Sequence, residues 1–340
     1  MTSNASLQVL VLGGTSWLGG AVARQALARG HQVTCLARGE AGTPPEGARW
    51  VRADRADPSA YDEVAGRPWH AVVDVSWQPA FVRTALSRLA GSAPHWVYVS
   101  SGSVYADETT PGQGEDALLH EPYDGDGPVD WDVYGPTTVA CEQACLAARG
   151  AEGVLVARAG LIGGYGDRSD RLGYWPARVQ LAGRDEPVLV PPRKAPVQVI
   201  DVEDLAAWLV RGAEQRVAGV FDAVGDPCTV GDVLQACVTA TGAEPRLVEA
   251  ADEWLTDQGV APWMGSESLP LWLPQPAHAG LLSRRNGAAR AGGLTLRPLS
   301  ETVVATLAWE TELGLSRARR AGLSPARESE LLARLADASG

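Results

Sequence analysis

A doubly wound α/β fold around a parallel sheet is predicted by three features of the chain. Short, nearly continuous apolar runs recur through its first half, the pattern of strands buried on both faces. Helical segments alternate with those runs, as in successive βαβ units. A glycine-rich turn separates the first run from the first helix.

The elements follow in order. Leu7 to Leu12 is the first strand, broken by Gly13-Gly14-Thr15-Ser16-Trp17-Leu18-Gly19-Gly20, and Ala21 to Arg29 continues with helical spacing. His31 to Ala37 reads as a second strand, Ala48 to Ala53 as a third and Ala71 to Val75 as a fourth, followed by a helix through Phe81 to Leu89. His95 to Ser100 is a fifth strand, and a helix from about Tyr134 to Arg149 leads to a sixth, Val154 to Arg158. Right-handed crossovers then place ligands at the carboxyl ends of the strands. Past Ala159 the pattern changes to Gly/Pro-rich loops with scattered short elements. Val197 to Ile200 reads as a strand before an acidic helix start, Gly219 to Val224 and Thr229 to Thr241 as a strand and helix, and Glu301 to Glu312 and Ser324 to Ala336 as helices. The expected division is a dinucleotide-binding part over 1–160, its sheet completed by segments near 197–224, and a smaller substrate-binding α/β part over 161–340.

Bulk composition narrows the function. With 45% hydrophobic and 21% charged residues the 340-residue chain is ordinary for a globular protein. A formal charge of −12 argues against nucleic acid and against an anionic membrane surface, since both call for a basic face. No apolar run reaches the roughly 20 residues a membrane span needs, and the N-terminus lacks a secretory pattern. The five cysteines show no metal-ligand or C-x-x-C spacing. No metal site is expected, and the reading is of a reduced, cytoplasmic protein.

Strand, glycine turn and helix together form the dinucleotide fingerprint of a Rossmann-type fold. Gly13 permits the tight turn, Ser16 stands where the backbone must approach a pyrophosphate, Gly19 allows helix to pack on strand, and the helix N-terminus attracts phosphate. At the end of the second strand, Ala37 offers no carboxylate for a ribose 2′-hydroxyl, and Arg38 beside it suits a 2′-phosphate. NADP is therefore expected ahead of NAD, with Arg24 on the first helix as a competitor for that phosphate. Asp54, ending the third strand, could accept a hydrogen bond from adenine.

Val97-Tyr98-Val99-Ser100-Ser101-Gly102-Ser103-Val104-Tyr105, together with the glycine turn and Tyr134, resembles the extended short-chain dehydrogenase/reductase family, the NAD-dependent epimerase/dehydratase group. Arg158 to Gly163 is similar to that family's segment after strand six, and Val197 to Ala206 to its second-domain V-H-V-x-D motif. The resemblance implies a cofactor held by Gly13, Thr15, Ser16, Trp17, Leu18, Gly19, Arg38, Asp54, Arg55, Val75, Ser76, Tyr134, Gly160, Leu161 and Ile162. It implies that Ser101 orients a substrate oxygen and that Tyr134 transfers a proton. It also implies dimerisation through the helix beginning near Tyr134. Thr138 stands where the family carries the lysine that lowers the tyrosine pKa, and the only lysine, Lys194, is far along the chain beside Arg193. A free tyrosine titrates near about 10, so without an adjacent ammonium Tyr134 should stay a neutral phenol at pH 7. It can then donate a proton but serves poorly as a base.

Trp77, Ser103, Tyr105, Trp131, Tyr174 and Trp175 are expected around an aromatic-lined substrate pocket, with Tyr165 nearby. His120 and Asp107 could offer a replacement acid or base. Three functions stay open on these grounds: a reductase or epimerase of a small uncharged carbonyl or hydroxyl compound, a non-redox enzyme on the same fold, and a nucleotide-sensing protein without turnover.

Overall fold

The computed structural model describes residues 6–125 and 127–339. Strands β1 (Gln8–Leu12), β2 (Gln32–Ala37), β3 (Arg49–Arg52), β4 (Ala71–Asp74), β5 (Trp96–Ser101) and β6 (Val154–Ala159) form as the apolar runs predict. Three short elements, β7 (Leu161–Gly163), β9 (Pro196–Val197) and β10 (Val199–Asp201), and the longer β8 (Arg184–Val190) lie outside the main sheet, which β11 (Gly219–Ala223) then rejoins. The main sheet has seven parallel strands in the order β11-β6-β5-β4-β1-β2-β3. Its order reverses between β1 and β4, and the crevice at their carboxyl ends is where such sheets bind ligands.

Side-chain alternation sorts the core into two layers. Val9, Val11, Val73 and Val97 point to the face covered by α1 (Trp17–Ala28) and, later, α5 (Val202–Gln215). Leu10, Leu12, Val72, Val154 and Val156 face the side covered by α2 (Pro79–Arg88) and α3 (Tyr134–Arg149), with Cys141 and Cys145 as small packing residues. Arg24 and Gln25 on α1 both reach Glu203 on α5, at 2.9 and 2.7 Å, so Arg24 is committed to joining those helices.

A second core joins α4 (Arg171–Ala182), α6 (Val230–Thr241), α9 (Leu299–Leu313) and α10 (Pro325–Ser339) to β8 and its parallel partner β13 (Glu244–Glu249). The short α7 (Asp252–Asp257), α8 (Gly287–Ala291), β12 (Cys228–Thr229), β14 (Ala261–Trp263) and β15 (Ser268–Pro270) complete the chain. Thr229 and Asp232 close a capping box at the start of α6.

The single strand expected over 197–200 is two. Buried Gln198 donates to the carbonyls of Gly225 and Arg284 and accepts from the Arg284 N–H, which turns the chain there. β9 consequently pairs antiparallel with β12, and β10 pairs with β7. Among the described residues no helix is long and apolar enough to cross a membrane, and no cluster of His, Cys, Asp and Glu could hold a metal ion.

Candidate active site

The glycine turn fits a dinucleotide. Gly13 has φ +91°, and a Cβ there would come within 2.7 Å of Val75 Cγ2 at the end of β4. A Cβ on Gly19 would collide with the Gly13 carbonyl, so the missing side chain lets α1 pack on the turn. Ser16 caps α1: its hydroxyl accepts from Gly19 N–H and donates to the Gly13 carbonyl at 2.8 Å. Thr15 is buried, and the first-turn amides at Trp17 and Leu18 lack intrahelical acceptors, leaving donors for a phosphate. The Trp17 indole donates to the Tyr165 carbonyl at 2.8 Å and so ties the turn to the loop after β7.

Around the turn, Ser76 hydrogen-bonds Asp74 Oδ1 through its N–H, and Gly160 packs on Val224, leading into Leu161 and Ile162 of β7. Arg38 is half exposed, paired with Glu40 at 2.9 Å and 3.8 Å from Asp54. Asp54 itself accepts from Ala56 N–H, closing the turn after β3.

Arg55 is not a cofactor ligand. It is buried, forms a bidentate pair with fully buried Asp74 at 2.7 Å per bond, and donates also to the Tyr61 hydroxyl and the Phe81 carbonyl. Its work is to neutralise Asp74 beneath the carboxyl end of β4. Arg55→Ala would strand that carboxylate and is expected to cost about 3–5 kcal/mol in chemical denaturation. It should not show the selective loss of cofactor affinity that removing a phosphate ligand gives.

Ser101 and Tyr134 come together. Ser101 ends β5, where its hydroxyl accepts from Ser103 N–H at 3.1 Å and lies 3.2 Å from the Ser103 hydroxyl. Tyr134 opens α3, and a Cβ on Gly135 would strike the Ser103 carbonyl, so this glycine lets the Ser101–Ser103 turn meet the helix. The Ser101 hydroxyl lies near enough to the phenol to pull its pKa down. Trp77 stacks on Trp131 with ring centroids 4.9 Å apart; Tyr134 lies 4.9 Å from Trp131 and 5.4 Å from Trp77. Trp131 is 70% exposed, so this aromatic group forms the outer wall of the site.

Burial pushes the Tyr134 phenol above the ordinary tyrosine value, against the pull of the Ser101 hydroxyl, the Arg171 guanidinium and the Thr138 hydroxyl. Thr138 is buried one helical turn on, and its hydroxyl donates to the Tyr134 carbonyl at 2.7 Å. Thr138 supplies no charge to a tyrosinate, and its hydroxyl pulls the phenol down less than Ser101 or Arg171 does. Lys194 stands exposed in the turn after β8, and neighbouring Arg193 pairs with Glu249 at 2.8 Å.

Three expected pocket residues are structural instead. The Tyr105 hydroxyl, 1% exposed, donates to Asp222 at 2.6 Å and accepts from Arg158, which also pairs with buried Glu142. Tyr174 and Trp175 lie inside the second core, where the Trp175 indole donates to the Pro270 carbonyl. Asp107 organises its own loop by accepting from Thr109 and Gln113. His120 packs against Gly135, next to Tyr134 but through the backbone side of the helix start. Arg171, at the first position of α4, was missed. The available signal was its place after the loop that follows the sixth strand, at the carboxyl edge where ligands bind.

Glycine turn, switch-point crevice and facing Ser101–Tyr134 pair define a Rossmann-type dehydrogenase-like enzyme. A family model for the NAD-dependent epimerase/dehydratase family matches residues 9–223, and the chain belongs to that family. No curated protein matches it in sequence. Among solved structures, WbmH of Bordetella bronchiseptica in complex with NAD+ superposes with a TM-score of 0.66 at 17% identity, covering 91% of this chain and 99% of that one. UDP-glucose 4-epimerase of Thermus thermophilus, complexed with NAD, gives 0.60 at 19% identity over 89% and 98%. UDP-N-acetylglucosamine 4-epimerase of Bacillus cereus gives 0.63 at 16% over 89% and 99%. At such identities these likenesses speak to the fold.

Proposed function

We propose that this enzyme reduces a carbonyl group on a small molecule, using a nicotinamide dinucleotide, with Tyr134 as proton donor and Ser101 orienting the carbonyl oxygen. The carrying observation is a half-buried phenol beside Ser101 with Thr138, not an ammonium, one turn away. Reduced nicotinamide supplies the hydride when bound. Tyr134 gives its proton to the developing alkoxide, Ser101 holds that oxygen by a hydrogen bond, and Trp77 and Trp131 exclude water. Epimerisation through an oxidised intermediate would begin with proton removal from an alcohol, a task for tyrosinate, and burial disfavours that form.

NAD is the favoured dinucleotide. A 2′-phosphate would have to displace Glu40 from Arg38 and sit near Asp54, whereas a 2′-hydroxyl meets no such cost. The WbmH and Thermus relatives, whose structures contain NAD, point the same way. Fluorescence titration should give NADH binding at least as tight as NADPH. Glu40→Ala should shift the preference toward NADPH by roughly five-fold, the scale of freeing one exposed ion pair. If neither dinucleotide binds, the reading fails.

A further inference from the structure

Arg171 forms no ion pair among the described residues, although the Asp167 carboxyl acts on it from further off. Its guanidinium carbon lies 5.0 Å from the Trp263 ring centroid, and Nε donates to the Ser169 hydroxyl at 3.3 Å. Among the described residues no carboxylate comes within ion-pair distance of it. The nearby Asp167 is buried, with both oxygens taken up by Ser169.

The local fold aims this residue at Tyr134. Ser101 is in register with Ala159 across β5 and β6, and the chain runs from Ala159 through β7 into the loop that ends at Arg171. Leu172 packs on Gly163, and Tyr165 is tied to the glycine turn through Trp17, so the loop is held over the carboxyl ends of the strands. The segment facing Arg171 is strained: Trp263, Glu267 and Leu271 have φ of +67°, +57° and +68°. Non-glycine residues in this region concentrate at ligand sites. Burial also draws the Arg171 pKa below its ordinary value, against the pull of Asp167 and Tyr134.

We infer that Arg171 binds a carboxylate carried by the carbonyl substrate, with Trp77 and Trp131 covering the rest of the molecule. A planar guanidinium stacked on an indole offers its free edge to a planar carboxylate through two parallel hydrogen bonds. A single guanidinium suits a monoanion better than a phosphate dianion, the more so with the Asp167 carboxyl close by. The substrate is thereby a carbonyl acid, in place of the uncharged compound expected from the sequence. This inference rests on the proposed reductase reading.

Binding to the NAD+-loaded enzyme, which cannot reduce a ketone, tests it with three probes: benzoylformate, its neutral amide and phenyl phosphate. Calorimetry should show the acid bound at least about ten-fold tighter than the amide, the equivalent of one charge-assisted hydrogen bond. Phenyl phosphate should be weaker than the acid. Arg171→Gln should erase the acid's advantage and leave amide affinity unchanged, which also reports an intact fold; Arg171→Lys should restore part of it. Equal affinities for acid and amide in the wild type, an advantage that survives Arg171→Gln, or phosphate binding tighter than carboxylate would each overturn the inference. Because the readout is binding, it can fail while Tyr134 remains the proton donor, and hold where Tyr134 proves idle.

Discussion

Tyr134→Phe is expected to lower turnover in carbonyl reduction by about 10²–10⁴-fold, the usual contribution of a positioned general acid. Affinity for NADH should change little, and stability by no more than about 1 kcal/mol, because the ring that packs against Trp77 and Trp131 is retained. The size of the effect follows from what surrounds the phenol. Ser101 is a far weaker acid than tyrosine, and the Thr138 proton is held by the Tyr134 carbonyl. Neither neighbour can take over the proton transfer. Steady-state kinetics on a panel of carbonyl acids and neutral ketones is the measurement. Full activity in the variant would move the proton donor elsewhere, with His120 the next residue to replace.

Burial also fixes the pH behaviour. A phenol raised above its ordinary value keeps its proton past the point where exposed tyrosine loses one, so the acid form is present throughout the neutral and mildly alkaline range. Reduction by the wild type should therefore show no alkaline limb assignable to Tyr134 below about pH 10.

What could be read from the chain divides by the range of the interaction involved. Strands β1 to β6 and the glycine turn follow from local patterns, alternation within a strand and missing Cβ atoms at Gly13 and Gly19, and the structure repeats them within a residue or two. Ser101 and Tyr134 were legible through the family resemblance, and the structure places one at the end of β5 and the other at the start of α3. The aromatic residues were not. Tyr105 and Trp77 look equally suited to a pocket, yet one is spent on Asp222, 117 residues away, while the other meets Trp131 and Tyr134 at the surface. Arg55 failed for the same reason, since it follows β3 while its partner Asp74 ends β4, with β1 and β2 between them in the sheet. Arg171 escaped notice because only the tertiary fold brings the start of α4 within electrostatic range of Tyr134. The sequence thus suggested a nearly neutral site, and the structure puts an unpaired charge in it.

Thr138→Lys is the second large effect, and its direction is opposite for the two half-reactions. An ammonium one turn beyond Tyr134 favours the tyrosinate, and an opposite charge at such range commonly moves a pKa by about 1–3 units. Each unit is worth about 1.4 kcal/mol between the two protonation states. Alcohol oxidation, which needs the base, should rise by about ten-fold or more per unit gained. Reduction should acquire an alkaline limb where the wild type has none, falling as pH passes the new Tyr134 value. Thr138 is only 1% exposed, so the longer side chain must extend past the helix face toward the crevice, and thermal denaturation with NADH titration would separate a folding defect from an electrostatic one. If the variant reduces carbonyls where the wild type does not, the native enzyme is not a reductase, and the phenol serves a reaction without hydride transfer. If oxidation gains and reduction merely changes its pH profile, the threonine has set the direction of chemistry: it keeps Tyr134 a donor, in a site where the Arg171 charge is left for the substrate.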